Sequence, residues 1–438
     1  MSSPFNQDER DVELSVFGTI SDDEFDTINP DDVISLKIKE QTHNMQAEVL
    51  QFEVEPNEVV VTIQCNDTTH DKRYKKYKSI DAYALCNNVT YTICDEYTIY
   101  RKHLDKRTGE LTLTAYSSLY AVLNSKVDDV AVMDGDNVYD LLMRVFLACG
   151  IPTDKIIMSQ SVFGTYNIPH SYQSSYSVAQ ILNQICAAFC INIYNDRDNN
   201  IVVRQFSYAA ANADGESYTD DNQVCDIINS TDITDRVSSV EIGYTALKSR
   251  SNVNVLSIKN CEFAAGNGTT DTYRFDTPYV SKISYVQVKN KNISITGITK
   301  CTQSKIQLTY SNKSSATVKA DMNIYSTAIV GNEKEWKYKV SGRGRELELS
   351  GNDYIQSKAQ IDTYLAEYYK ALIATGNEYL YEIETMGSLS IKPNMTITIT
   401  SEEFDEEIVG KVVAMENEMA ENWIRGRIWV YSSDLYGG

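Results

Sequence analysis

The sequence predicts a mostly β, multidomain chain with α+β elements, and three observations carry that prediction. Thirty Tyr, together with abundant Thr, Ser, Val and Ile, are residue types that fit a pleated, half-buried surface. Apolar and polar residues alternate through several separate stretches, whereas a helical period is found in only three. The length of 438 residues leaves room for about three domains.

Residues 1–32 are acidic and hold few large apolar groups beyond Val16, Phe17, Ile20 and Phe25, so an N-terminal arm is expected there. A β-rich region is expected over 33–130. In it Ile34, Leu36 and Ile38 face one way and Ser35, Lys37 and Lys39 the other, and Val59, Val61 and Ile63 repeat the pattern. Tyr97 to Tyr100 and Leu111 to Ala115, joined by a charged turn at Lys106 to Gly109, read as a hairpin.

The period changes in residues 131–235, which are expected to form a small helix-hairpin α/β domain. Val138, Leu141, Leu142, Val145 and Cys149 share one helix face, and Gly150 and Pro152 stop that helix. Val178, Ile181, Leu182, Ile185 and Phe189 repeat the spacing, with Ser177 and Gln180 placed for a capping box. Ile191 to Tyr194, a polar turn at Asn195 to Asn200, and Ile201 to Phe206 then read as a hairpin.

Strand patterns return over 236–350, a further β domain, with Ile293/Ile295, Ile306/Leu308/Tyr310 and a loop around Gly266 and Gly268. Region 351–438 opens with a helix capped by Ser357 and Gln360. That helix carries Ile361, Tyr364, Leu365, Tyr368 and Leu372 on one face until Gly376. Strands follow at Met395/Ile397/Ile399, Ile408 to Val413, and Ile424/Ile428/Val430, the last alternating with Arg425, Arg427 and Trp429. No exact internal repeat is visible.

Forty basic against 61 acidic residues give a formal charge of −21, which argues against non-specific attraction to nucleic acid or anionic membrane. No stretch approaches the roughly 20 apolar residues that span a bilayer. The opening MSSPFNQDERDVE lacks the segments of a signal peptide, so synthesis and folding in cytoplasm are expected. Nine cysteines without a spacing rule read as reduced thiols that pack as small hydrophobes. Sequons such as Asn88-Val89-Thr90 then carry little weight.

Chemical motifs are sparse, and no catalytic, cofactor-binding or metal-binding residue is assigned. The four histidines, His43, His70, His103 and His170, stand far apart, and no CxxC or HExxH spacing occurs. Cys186 and Cys190 are one helical turn apart, but no His follows and core packing is the expected role. Asp196 to Asn200 resembles the start of a calcium loop; Ile201 and Ser207 stand where Gly and Glu are needed, so a solvated hairpin turn is expected. Gly266 and Gly268 lack the third glycine and the strand-helix order of a phosphate cradle.

Acid clusters at Asp22 to Glu24 and Glu402 to Glu407 arise readily among 61 acids. No GxSxG elbow is present. Lys72 to Lys78, interleaved with Tyr74 and Tyr77, reads as a solvated loop, a site for docking onto an acidic neighbour, or a phosphate-binding strip.

The order of these pieces resembles the tail hub, or baseplate hub, of tailed bacteriophages and related contractile particles. Three stretches carry the resemblance: Tyr97 to Leu123, Ser177 to Phe206 and Ser357 to Tyr431, about a third of the chain. The resemblance implies a homotrimer in which two β-barrel-like hub domains per subunit, from the first and last regions, make a pseudo-sixfold ring. It implies as partners the neighbouring tail tube, distal tail or baseplate proteins, the tape measure and a spike or tip protein. DNA would pass through the channel without specific binding, and no cofactor is implied. Some hubs carry a C-terminal wall hydrolase; with Gly438 directly after the last strand, that extension is expected to be absent.

Two other readings stay open at the level of sequence. A receptor- or carbohydrate-binding tail protein would use tyrosines as stacking platforms. A glycoside hydrolase would use two of the acids. Trp336, Trp423 and Trp429 mark candidate faces between copies, although each also suits a core.

Overall fold

The computed structural model describes residues 12–21, 24–42, 52–65, 78–86, 88–126, 135–170, 177–206, 217–219, 224–229, 237–275, 282–301, 305–340, 344–375, 379–387, 389–400, 407–421 and 423–432. Seven strands come first: β1 Val12–Ser21, β2 Glu24–Ile28, β3 Val33–Gln41, β4 Glu58–Gln64, β5 Ser79–Cys86, β6 Val89–Asp105 and β7 Glu110–Tyr116. They hydrogen-bond in the order β3-β4-β7-β6-β5-β1-β2, antiparallel throughout. The β6–β7 hairpin lies where the sequence places one. It turns through Gly109 at φ +77°, where an added Cβ would come within 3.1 Å of the Cys65 carbonyl.

Two expectations for this region change. The span expected to be an arm holds β1 and β2, because Val12, Leu14 and Val16 alternate into the core at 0%, 5% and 0% exposure. Ile34 is 39% exposed, whereas Leu36 and Ile38 are fully buried as expected. A register shift between Val33 and Ser35 turns the first residues of β3 over, so Val33 faces inward in place of Ile34.

The chain then enters a helical unit: α1 Ser118–Leu123, β8 Asp136–Asn137, α2 Val138–Ala148, β9 Ile156–Met158, α3 Gln160–Phe163, β10 Asn167–Ile168, α4 Val178–Phe189, β11 Ile191–Asn195 and β12 Ile201–Gln205. The two predicted amphipathic helices are α2 and α4, and their apolar stripes are buried. The Asn137 side chain caps α2 by accepting from the Asp140 amide at 2.9 Å. Ser177 is the N-cap of α4, but its side chain makes no capping bond. Its backbone instead pairs with Lys126, and the Val178 amide reaches the Ser125 carbonyl.

Seven further strands follow: β13 Ser217–Thr219, β14 Val224–Asn229, β15 Val237–Phe263, β16 Gly266–Arg274, β17 Lys282–Val288, β18 Ile293–Cys301 and β19 Lys305–Asn312; then come β20 Val318–Lys339 and β21 Arg345–Leu349. β15 and β20 pair along a long antiparallel ribbon. At one end Val240, Ile242 and Trp336 join the core of the helical unit; at the other Phe263, Met322 and Ile324 build a separate core with Ile306, Leu308 and Tyr310. The Gly266–Gly268 segment, expected to be a loop, is the bulged start of β16, paired to β19.

The last helix runs from α5 Lys358–Gln360 through a π-turn at Ile361–Leu365 into α6 Ala366–Thr375. Ser357 Oγ accepts from the Gln360 amide at 3.1 Å, half of the expected box, while Gln360 Oε1 takes its bond from the Gln356 amide at 3.0 Å. Tyr364 packs edge-on against Phe189 and Tyr368 packs at a tilt against Phe52 in the helical unit.

Finally β22 Tyr379–Thr385, β23 Thr396–Thr400, β24 Glu407–Ala420 and β25 Trp423–Ser432 surround Ile383, Ile397, Ile399, Val412, Ile428 and Val430. β13 and β14 lie inside the 131–235 span yet pair with β23 and β22. β24 pairs with β3 from Ala414↔Gln41 to Met419↔Leu36 and fuses the first and last regions into one 13-stranded sheet. Among the described residues no sheet closes into a hydrogen-bonded ring. The first region curls until β1 lies against β24, which gives it a barrel-like interior.

Candidate functional site

A densely bonded polar feature is the turn between β11 and β12, where three parts of the fold meet. The turn is built by its own side chains: Asp196 accepts from the Asn200 amide at 2.8 Å and from Asn200 Nδ2 at 2.9 Å. Asn199 takes φ +59°, a left-handed conformation that Asn tolerates better than most residues. This local scaffold projects Arg197 away from its own hairpin.

Arg197 is 5% exposed and Glu40 on β3 is 1% exposed. Arg197 Nε donates to both Glu40 carboxylate oxygens at 3.1 and 3.0 Å, and Nη2 donates to Oε2 at 2.7 Å. The remaining donors reach the carbonyls of Leu389 at 2.5 Å and Ile391 at 3.1 Å. A planar guanidinium fork suits such a set, because its five N–H donors are held at fixed angles and can serve several acceptors at once.

Neighbouring amides extend the junction. Asn195 Oδ1 accepts from the Leu119 amide at 3.1 Å, and Asn199 Oδ1 accepts from the Ser118 amide at 2.8 Å, so the turn caps α1. Asn57, fully buried, donates to the Asn195 carbonyl at 2.9 Å and to the Tyr97 hydroxyl at 3.2 Å. The turn expected to be solvated is therefore a peg held between β3, α1, β6 and the 389–391 segment. The same segment that departs from a calcium loop is designed for backbone and carboxylate partners within the chain.

This arrangement ties distant elements together. Burial pushes the Cys94 and Cys186 thiols and the Tyr97 hydroxyl upward, so each stays protonated at neutral pH. Cys186 and Cys190 both pack in the helical core. Among the described residues no group of three His, Cys, Asp or Glu side chains could hold a metal ion. The native protein is expected to leave Cys94 and Cys186 unmodified by iodoacetamide at pH 8, mapped by peptide mass spectrometry. Labelling of either at the rate of the denatured chain would show that these cores open.

Other motifs are dispersed. His103 is exposed on β6, and His170 is half-buried, its amide donating to Gln356 Oε1 at 3.0 Å. His43, His70, Asp22, Asp23, Lys72 to Tyr77, Ser207 and Glu402 to Glu406 lie outside the described residues. Trp336 is buried and donates to Asp362 Oδ1 at 3.2 Å; Trp429 packs partly buried against the helical core, and Trp423 lies beside Arg425.

Tyrosines divide between interior and surface. Tyr97, Tyr310, Tyr354, Tyr369 and Tyr381 are among the largest fully buried side chains, which removes them from any stacking platform. Tyr100, Tyr116 and Tyr120 cluster on the first region, with ring centroids 4.3 Å apart for Tyr100–Tyr120 and 4.4 Å for Tyr116–Tyr120. No helix among the described residues is long and apolar enough to cross a membrane.

One feature escaped the reading of residue patterns: charge is segregated. Residues 253–328, the outer lobe of the ribbon, hold nine Lys and Arg against four Asp and Glu. Net charge taken segment by segment would have found it.

No protein-family model matches the chain, and no curated protein matches it. Solved structures do. A tail protein from Neisseria meningitidis MC58 is similar at 10% identity and a TM-score of 0.53, covering 96% of each chain. The prophage MuSo2 43 kDa tail protein from Shewanella oneidensis is similar at 9% identity and a TM-score of 0.53, covering 96% of this chain and 99% of that one. The chain thus shares the fold of these two tail proteins over 96% of its length.

Proposed function

We propose that the chain is a structural tail hub subunit of a phage or phage-like particle. Three copies form a ring that joins the tail tube to the tip or spike and leaves a channel for DNA. The observation that carries this reading is the similarity to two tail proteins over 96% of the chain, which includes every region rather than one shared module. The β3–β24 ladder adds support: it sets two β regions side by side in each copy, as a pseudo-sixfold ring of three subunits needs.

Partners on this reading are the tube, distal tail or baseplate proteins, the tape measure and the spike. DNA passes without specific binding, and the charge of −21 favours passage because an acidic wall does not hold phosphates. A non-enzymatic role is part of this reading. The domain limits proposed are 1–32, 33–130, 131–235, 236–350 and 351–438, with 12–28 contributing strands to the first sheet region and 217–229 to the last.

Electron cryo-microscopy of the purified protein is the direct test. The expected particle has about three times the 49.4 kDa chain mass, threefold symmetry and a central hole lined with Asp and Glu. Compact monomers at every concentration would overturn the hub reading, and a bore lined mainly with Lys and Arg would remove the channel from it.

A further inference from the structure

The described residues of 253–328 make a lobe with its own hydrophobic core, carried on the two-stranded neck of β15 and β20. Arg250, Ser251 and Asn252 on one neck strand and Gly331 to Glu335 on the other are exposed. The lobe carries a net +5, whereas the rest of the chain, with 31 basic and 57 acidic residues, carries −26.

The positive charge gathers at one place. The turns after β17 and β19 lie together: the Lys313 amide donates to the Asn292 carbonyl at 2.9 Å, and Asn292 Nδ2 donates to Ser314 Oγ at 3.5 Å. Lys289, Lys291 and Lys313 are exposed there, and Lys319 follows at the start of β20. Lys319 pairs with Glu262 at 2.8 Å and Lys289 reaches Asp321 at 4.0 Å, while Lys291 and Lys313 face solvent. This is the end farthest from the neck, because β20 runs from Val318, opposite Phe263, to Ala328 before it reaches the neck.

We infer that this lysine tip docks on an acidic face of a neighbouring copy of the chain. The inference rests on the hub reading and names a contact within it. A body of −26 repels its own copies, and a cationic tip held out on a neck offsets that repulsion where copies meet. A free polyanion would have to approach against the whole body's field, whereas a sister copy is already held nearby by its other contacts. Exposed charge pairs are individually weak and screened by salt, so the contact steers and registers copies more than it glues them.

The test uses the full chain as wild type and as the K291E/K313E variant, with ¹⁴N- and ¹⁵N-labelled chains mixed and joined by a zero-length carbodiimide cross-linker. Expected are mixed-label links from Lys291 or Lys313 to Asp or Glu outside 253–328. The variant should associate about ten- to a hundredfold more weakly at low salt, with a smaller difference at high salt. Wild-type trimers without such links would overturn the docking and leave the hub reading standing; wild-type monomers would overturn both. Unchanged association of the variant, with retention on a heparin column lost, would assign the tip to another polyanion and overturn the docking.

Discussion

Arg197→Ala is expected to destabilise the folded chain by about 3–5 kcal/mol in denaturant unfolding, because it strips the buried Glu40 carboxylate of the guanidinium that holds it. The loss has a second part. The Leu389 and Ile391 carbonyls would also lose a donor at 2.5 and 3.1 Å in a place water does not reach. The pair variant Glu40→Gln with Arg197→Met should recover a large share, since it removes both charges and keeps most of the volume. The damage should be local before it is global. Hydrogen exchange should accelerate first at the β3–β24 ladder and at the Thr42 amide, which bonds the Val413 carbonyl at 2.8 Å. A single variant within about 1 kcal/mol of wild type would show that the peg does not hold the two β regions together.

Much of the fold was legible because strands and helices advertise their buried face by period. Val59, Val61 and Ile63 are fully buried, and so is the stripe of α4 from Val178 through Ile185 to Phe189, as spacing requires. What failed was non-local. Ile34 obeys alternation and still points outward, because a bulge is fixed by the partner strand rather than by the residues beside it. The capping box at Ser177 had the right residue types, yet the Ser177 side chain makes no capping bond, and the first amide of the helix, Val178, is met by the Ser125 carbonyl from outside it. The Asp196 to Asn200 turn looked solvated for the same reason: its acceptors come from residues 40, 389 and 391, which no local window contains. Strands β13 and β14 pair about 150 to 180 residues away, beyond any periodicity argument. The charged lobe was readable in principle, since it needs only a count of Lys, Arg, Asp and Glu by segment.

The second large effect concerns how the helical unit holds the last helix. Phe189 is fully buried at the end of α4, with its ring 5.8 Å from Tyr166 and 5.2 Å from Tyr364. Tyr166 and Tyr364 are themselves 4.6 Å apart, so the three rings form one cluster joining α4, the segment after α3 and the π-turn. Phe189→Ala removes the shared member and is expected to cost about 3–5 kcal/mol, from lost transfer energy and the cavity left behind. Phe189→Leu should cost less than about half of that, because it keeps most of the buried volume but loses the ring contacts. The cavity cannot collapse easily, since Tyr364 is fixed by the helix around it and Trp336 ties that helix to the ribbon through Asp362 at 3.2 Å. Tryptophan fluorescence during unfolding should therefore report early loosening around Trp336 in the alanine variant. A cost below about 1 kcal/mol, with the Trp336 signal unchanged, would mean that the last helix is held by its β contacts alone.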